Sequence, residues 1–207
     1  MVYGVIPLSE QEYIPDEQTL STGYKQTKQY PRQEYYELCR CGCSEEKPFC
    51  SGAHRYEGFD GTETAKRTPF TAQAEPLVVG HDMDLTEVVS LCANARFCDR
   101  AGGVWDNTRS SDNPDAKAIA LQEVWNCPAG RLVLLNKEGK AIEPEFEPSI
   151  IIIVDPVKKV IGPLWVRCGI PIESSDGTVY EVRNRVTLCR CGKSTNKPFC
   201  DGKHENE

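Results

Sequence analysis

Leu38-Cys39-Arg40-Cys41-Gly42-Cys43-Ser44-Glu45-Glu46-Lys47-Pro48-Phe49-Cys50-Ser51-Gly52-Ala53-His54 recurs without a gap as Leu188-Cys189-Arg190-Cys191-Gly192-Lys193-Ser194-Thr195-Asn196-Lys197-Pro198-Phe199-Cys200-Asp201-Gly202-Lys203-His204. Both stretches are C-x-C-x8-C-x3-H, and Arg, Gly, Ser, Lys-Pro-Phe and a second Gly coincide at the same offsets. The repeat extends upstream. Tyr30 aligns with Tyr180, and Ile6-Pro7-Leu8 resembles Ile170-Pro171-Ile172 once the first copy is granted an extra loop around Thr19 to Gln29. Each copy reads as a strand, a connection, a second strand and then the cysteine motif. Gly177-Thr178-Val179-Tyr180-Glu181-Val182 puts turn residues before alternating β-formers, which predicts a small antiparallel sheet. Two such units in one chain predict a pseudo-twofold pairing, so a monomer is expected to supply both halves.

The spacing points to metal. On extended backbone, residues two apart share a face, so Cys39 projects with Cys41 and Cys189 with Cys191. Residues four apart share one face of a helical turn, which joins Cys50 to His54 and Cys200 to His204. Ser51 and Asp201 stand where they can cap that turn's first amides. Each motif therefore offers two ligand pairs, one for each iron of a [2Fe–2S] rhomb. A Cys3His zinc site is the rival, although zinc knuckles usually separate their first ligands by two to four residues. Buried cysteines without metal would leave the recurring histidine unexplained.

The full motif, C-R-C-G-x-S-x-x-K-P-F-C-[SD]-G-x-H, resembles the CDGSH iron–sulfur (NEET) family. The resemblance implies 3Cys:1His [2Fe–2S] centres at Cys39, Cys41, Cys50 and His54 and at Cys189, Cys191, Cys200 and His204, each under a β-rich cap. It also implies roles in electron transfer, cluster donation and iron or redox homeostasis. The copies differ where Ser51 faces Asp201, Ala53 faces Lys203 and Cys43 faces Lys193. Cys43 reads as a bystander, since the second copy manages without it. One histidine in place of a thiolate is expected to raise the potential, as in Rieske centres, and to make ligation acid-sensitive. Lys47 and Lys197 are either solvated or near the clusters, and Phe49 and Phe199 are expected to shield them.

Between the repeats, Cys92-Ala93-Asn94-Ala95-Arg96-Phe97-Cys98 and Cys127-Pro128-Ala129-Gly130-Arg131-Leu132 resemble the divergent mono-cluster ferredoxin domain. That resemblance implies a third centre, [3Fe–4S] or [4Fe–4S], at Cys92, Cys98 and Cys127, with structural cysteines as the alternative. No fourth ligand is evident. Cys168 is a candidate, but the repeat places it in a strand opposite Val5, where a buried apolar thiol is expected. Asp84 to Cys98 and Asp115 to Val124 read as helices, Arg131 to Leu135 and Ser149 to Val154 as strands. His81 reads as a surface residue, and Trp105, Trp125 and Trp165 as packing residues.

The expected fold class is α+β, two small β-rich units paired around a ferredoxin-like insert. The expected domains are 1–57, the first iron–sulfur unit; 58–76, a linker; 77–160, the central domain; and 161–207, the second unit. A net charge of -7 argues against nucleic acid as a partner. Eleven cysteines without an export signal argue for a reducing, cytoplasmic setting rather than disulfides. The longest apolar run, Ile150 to Val154, is too short to span a bilayer, so no membrane association is expected. With His54 and His204 engaged, only His81 remains for acid–base work, which favours a carrier over an enzyme. The expected partner is a redox protein or an apo-protein cluster acceptor. The alternatives are a redox subunit feeding a reductase or oxygenase, and a structural zinc module.

Overall fold

The computed structural model describes residues 1–206. Its strands and helices are β1 (Val2–Tyr3), β2 (Leu8–Pro15), β3 (Ser21–Gln29), β4 (Tyr35–Tyr36), α1 (Phe70–Gln73), β5 (Glu75–Val79), β6 (Met83–Glu87), α2 (Val104–Arg109), α3 (Pro114–Asn126), β7 (Leu132–Asn136), β8 (Ser149–Asp155), β9 (Val160–Arg167) and β10 (Arg185–Leu188). The architecture is α+β, with the two repeat units at the ends of the chain and a separate layer between them.

The two ends share one sheet, ordered β10-β9-β8-β2-β3. β2 and β8 run parallel and every other neighbour is antiparallel. β8 explains the apolar run. Ile150 and Ile152 face a core of Leu8, Tyr30, Tyr36, Leu164, Val166 and Val186, while Ile151 and Ile153 face Tyr13, Ala95, Phe97 and Trp165. A strand covered on both faces has no solvent side to alternate toward. β8 was expected within the central segment; it instead forms the middle of the sheet that joins the ends. The polar stretch from Thr19, expected as a loop, is largely β3, a hairpin partner for β2 at the sheet edge.

The repeat survives in the backbone. Gly4 and Val5 in the first copy, and Cys168 and Gly169 in the second, all take positive φ of 92°, 58°, 62° and 66°. Lys47-Pro48 and Lys197-Pro198 are both cis. Phe49 packs edge-on to Tyr30 at 5.8 Å and Phe199 to Tyr180 at 5.1 Å. Residues 177–182 supply one bridge, Glu173 to Val179, rather than a strand, because a tight turn closes there with Ser174 N–H donating to Thr178 O at 2.9 Å. Cys168 is half-buried just beyond β9, not inside a strand, and its N–H donates to Asn184 O at 2.9 Å.

The middle layer is the sheet β5-β6-β7 with α2 and α3 packed on it. Asn113 caps α3, its side chain accepting from Asp115 N and Ala116 N, with Pro114 at the first helical position. The helix expected over Asp84 to Cys98 does not form. Met83 and Leu85 alternate into the core as β6 between two strands, and an irregular segment follows. Trp125 donates to Ile142 O at 3.0 Å, and Trp165 stacks against Tyr24 at 4.9 Å.

One buried acid sets a pH dependence. Glu123 on α3 is fully buried, and burial pushes its carboxyl up to about 7 against a partial offset from the Asn107 amide. The folded chain thus holds this proton more tightly than the unfolded one. Its penalty is absent below the unfolded value of 4.5 and grows as pH rises through about 7. Glu123→Gln is expected to stabilise the protein at pH 8 by up to about 3 kcal/mol and to do nothing at pH 4. Urea midpoints at the two pH values decide this, and equal gains at both would refute it.

Candidate metal centres

Each motif builds the same frame. Cys39 N–H donates to Pro48 O and Cys189 N–H to Pro198 O, both at 2.9 Å, so the first ligand is tied across its own loop. Cys50 N–H donates to Glu37 O at 3.0 Å and Cys200 N–H to Thr187 O at 2.8 Å, which tie the third ligand to the strand before the motif. Ser44 and Ser194 donate to Phe49 O and Phe199 O at 2.6 and 2.7 Å and accept from Glu46 N and Asn196 N. The repeated serine therefore holds the x8 loop closed. His54 and His204 lie within 3₁₀ turns, Ala53–Arg55 and Lys203–Asn206, rather than on an α-turn shared with Cys50 and Cys200.

The ligand atoms fall into four pairs. Cys39 Sγ lies 3.7 Å from Cys41 Sγ, and Cys189 Sγ lies 3.8 Å from Cys191 Sγ. Cys50 Sγ lies 3.7 Å from His54 Nδ1, and Cys200 Sγ lies 3.5 Å from His204 Nδ1. Two donors on one tetrahedral metal, with bonds of about 2.0–2.3 Å, sit about 3.5–3.8 Å apart. Each pair is thus spaced as two donors on one metal would be. Among the described residues, no three His, Cys, Asp or Glu side chains converge as they would around a single ion.

The sulfur environments differ. Hydrogen bonding from the Cys191 thiol, helped by the Ser194 amide and Arg40 against the effect of burial, brings Cys189 down to about 6. Burial pushes Cys200 up to about 12, with the Gly202 amide opposing it, so a bound cation is what would ionise that sulfur. The copies also differ in exposure. His54 is exposed, whereas His204 is 5% exposed, and a Cβ on Gly162 would lie 3.4 Å from its Nε2. Asp201 accepts from Thr195 N and Oγ1 at 2.8 and 2.9 Å and from Lys203 N at 3.3 Å, so it caps its turn. The first turn has no side-chain cap, and Ser51 is exposed, so the capping expected of it is not found.

The loops of the two motifs meet. A Cβ on Gly42 would lie 3.0 Å from Cys191 O, and one on Gly192 would lie 2.7 Å from Cys41 O, so both positions need glycine for space as well as for positive φ. Arg40 crosses to the other copy, donating to Cys189 O and, at 2.7 Å, to Pro198 O. Arg190, its counterpart, is buried with an unpartnered Nε, so the pseudo-symmetry breaks there. Cys43 is exposed and its amide donates to Cys41 Sγ at 3.4 Å; Lys47 and His81 are exposed too. Phe49 and Phe199 pack into the core beneath the loops.

In the middle layer, Cys92, Cys98 and Cys127 line one cavity of about 380 Å³, with Trp105, Pro128 and Arg131 also in its wall. Arg131 donates to Cys92 Sγ at 3.4 Å and pairs with Glu87. Burial pushes the Cys98 thiol up to about 12. Cys168 does not line this cavity. The inter-copy reach of Arg40 and the contacts of Asn94 described below were not foreseen. Arg40 was visible as a repeated residue, but nothing local says that it points to the other copy.

Paired C-x-C and C-x3-H sets on a shared sheet, with a three-cysteine cavity beside them, define a protein built around metal-binding cysteines. Residues 1–55 and 161–205 match the family model for the iron-binding zinc finger of CDGSH type, and residues 78–137 match that for the divergent 4Fe–4S mono-cluster. Neither curated proteins nor solved structures give a significant match. The chain thus carries two segments that match the CDGSH model, with a divergent ferredoxin-type segment between them, and these matches support an iron–sulfur protein. No described helix is long and apolar enough to cross a membrane.

Proposed function

We propose that the chain binds two [2Fe–2S] clusters, one on Cys39, Cys41, Cys50 and His54 and one on Cys189, Cys191, Cys200 and His204. A third iron–sulfur centre is held by Cys92, Cys98 and Cys127, and the protein serves as a carrier for a redox partner or an apo-protein acceptor. The observation that carries this reading is the division of each ligand set into two pairs at coordination-edge spacing. A mononuclear zinc site needs all four donors around one ion, whereas a two-iron cluster needs one pair per iron. In the middle, three thiols share one cavity, and Arg131 donates to Cys92 Sγ within it.

Such centres, when bound, supply reversible one-electron chemistry. The protein's own groups hold the ligands, place amides from Cys43, Gly52 and Gly202 on the sulfurs at 3.4 Å, and exclude water from Cys200 and His204. A carrier rather than a catalyst is also supported by the histidine count, since His81 alone is left and lies exposed.

Anaerobic purification with iron and sulfide counting, alongside visible and EPR spectra, tests this. About four irons per chain are expected from the two motifs, and roughly seven or eight with the central centre filled. A colourless, zinc-loaded protein would refute the reading.

A further inference from the structure

Two junctions connect the three cysteine sites, and they connect them in a fixed order. The first is the contact of the two motif loops, with Gly42 against Cys191 O, Gly192 against Cys41 O, and Arg40 across both. The second links the central loop to the second motif only. Cys200 packs in one apolar cluster with Ala93 and Ala129, and Cys127 packs against that cluster. Asn94, between Cys92 and Cys98, donates to Glu205 Oε2 at 3.2 Å and reaches Gly202 O at 3.5 Å. A Cβ on Gly202 would collide with the Asn94 amide, so the glycine of the second ligand turn is what lets the central loop seat there. Arg96 of the same loop pairs with Glu205 at 3.0 Å and with Asp155 at 2.7 Å.

The first motif has no equivalent. A Cβ on Gly52 would meet nothing within 4 Å, and His54 is exposed where His204 is buried. The central cysteines are all partly exposed around their cavity. The three sites thus connect in one order, with the Cys200 and His204 side of the second motif buried between the other two sites and Cys191 half-buried.

We propose that the three sites form an intramolecular one-electron relay, ordered central site, second motif, first motif. Cys200 and His204 form its buried junction, and the two ends face different one-electron protein partners. The proposal rests on the cluster assignments above. Each internal step oxidises one centre by one electron and reduces its neighbour by one, with no bond made or broken and no proton required. Tunnelling falls exponentially with separation, so contact between ligand-bearing loops favours the two neighbouring steps over a direct one from the central site to the first motif.

The test uses the full-length protein, reduced with dithionite and followed by EPR and by stopped-flow reoxidation with cytochrome c. In the parent, magnetic coupling is expected to broaden the central signal; Cys200→Ser should abolish the broadening and Cys50→Ser should leave it. Pulsed EPR distances on the unmodified protein should place the central spin nearer to one cluster than to the other, whatever the folding of the variants. Reoxidation should be a single phase in the parent and split into two phases at least tenfold apart in Cys200→Ser. Equal central-spin distances to both clusters, or a parent as biphasic as Cys200→Ser, would overturn the relay alone at a full count of about seven or eight irons. A count of about four would overturn the third centre and the relay with it.

Discussion

Cys50→Ser and Cys200→Ser are expected to lose iron unequally, although they change the same position of the same motif. Cys50 is half-buried ahead of the turn that carries the exposed His54, and a Cβ on Gly52 of that turn would meet nothing within 4 Å. Its loss should remove about two irons and two sulfides and leave the rest. Cys200 is buried against Ala93, Ala129 and Cys127, and its turn is gripped by Asn94 and Arg96. Serine there places a hydroxyl in an apolar cluster and loosens one wall of the central site. About two irons should go outright, and the central three or four should become labile to a chelator. Iron and sulfide assays before and after chelation measure both effects. Equal losses in the two variants, with the central iron untouched, would show that the two sites are independent.

Arg185→Leu is expected to be among the most destabilising single changes in the chain. The residue is 1% exposed and bridges three segments. Its guanidinium donates to Glu143 Oε1 at 2.6 Å and Oε2 at 2.8 Å, to Cys127 O at 2.9 Å, and also to Val124 O and Leu132 O. A leucine leaves the Glu143 carboxylate without its cation and takes the guanidinium donor from the carbonyls of Val124, Cys127 and Leu132. Breaking a buried pair by removing one partner costs about 3–5 kcal/mol. For a chain of this size that is a fall in melting temperature on the order of 10 °C. Glu143→Gln keeps an acceptor for the guanidinium and should cost less than half as much. Because Arg185 begins β10 and bonds the carbonyl of Cys127, the leucine variant should also lose central iron, which Glu143→Gln should retain. A leucine variant within about 1 kcal/mol of the parent would refute this account.

How much of this was legible beforehand depended on the range of each signal. The ligand pairs followed from spacing alone, because two residues apart on extended chain and four apart across a turn fix local direction. α3 was legible within two residues of its ends, since its Asn-Pro start is a local signal. Asp84 to Cys98 was misread as helical because Met83, Leu85 and Val88 suit either period, and only pairing with β5 and β7 selects the strand. The stretch from Thr19 read as a loop because a polar edge strand carries little apolar alternation.

The repeat itself and the pairing of its cysteine and histidine positions were legible in the sequence, since a motif with rigid internal spacing sets its own local geometry. Tertiary structure decided the rest. Nothing within either motif says that His54 is exposed and His204 buried, that Arg40 crosses between copies while Arg190 Nε is buried without a hydrogen-bond partner, or that Asn94 seats on Gly202. The central loop touches both copies but at different places: it seats on the ligand turn of the second, at Gly202, and meets the first at β2 and β3, away from its ligand turn. Packing between distant segments depends on the whole fold, so two nearly identical sequences come to hold their ligands in unlike surroundings.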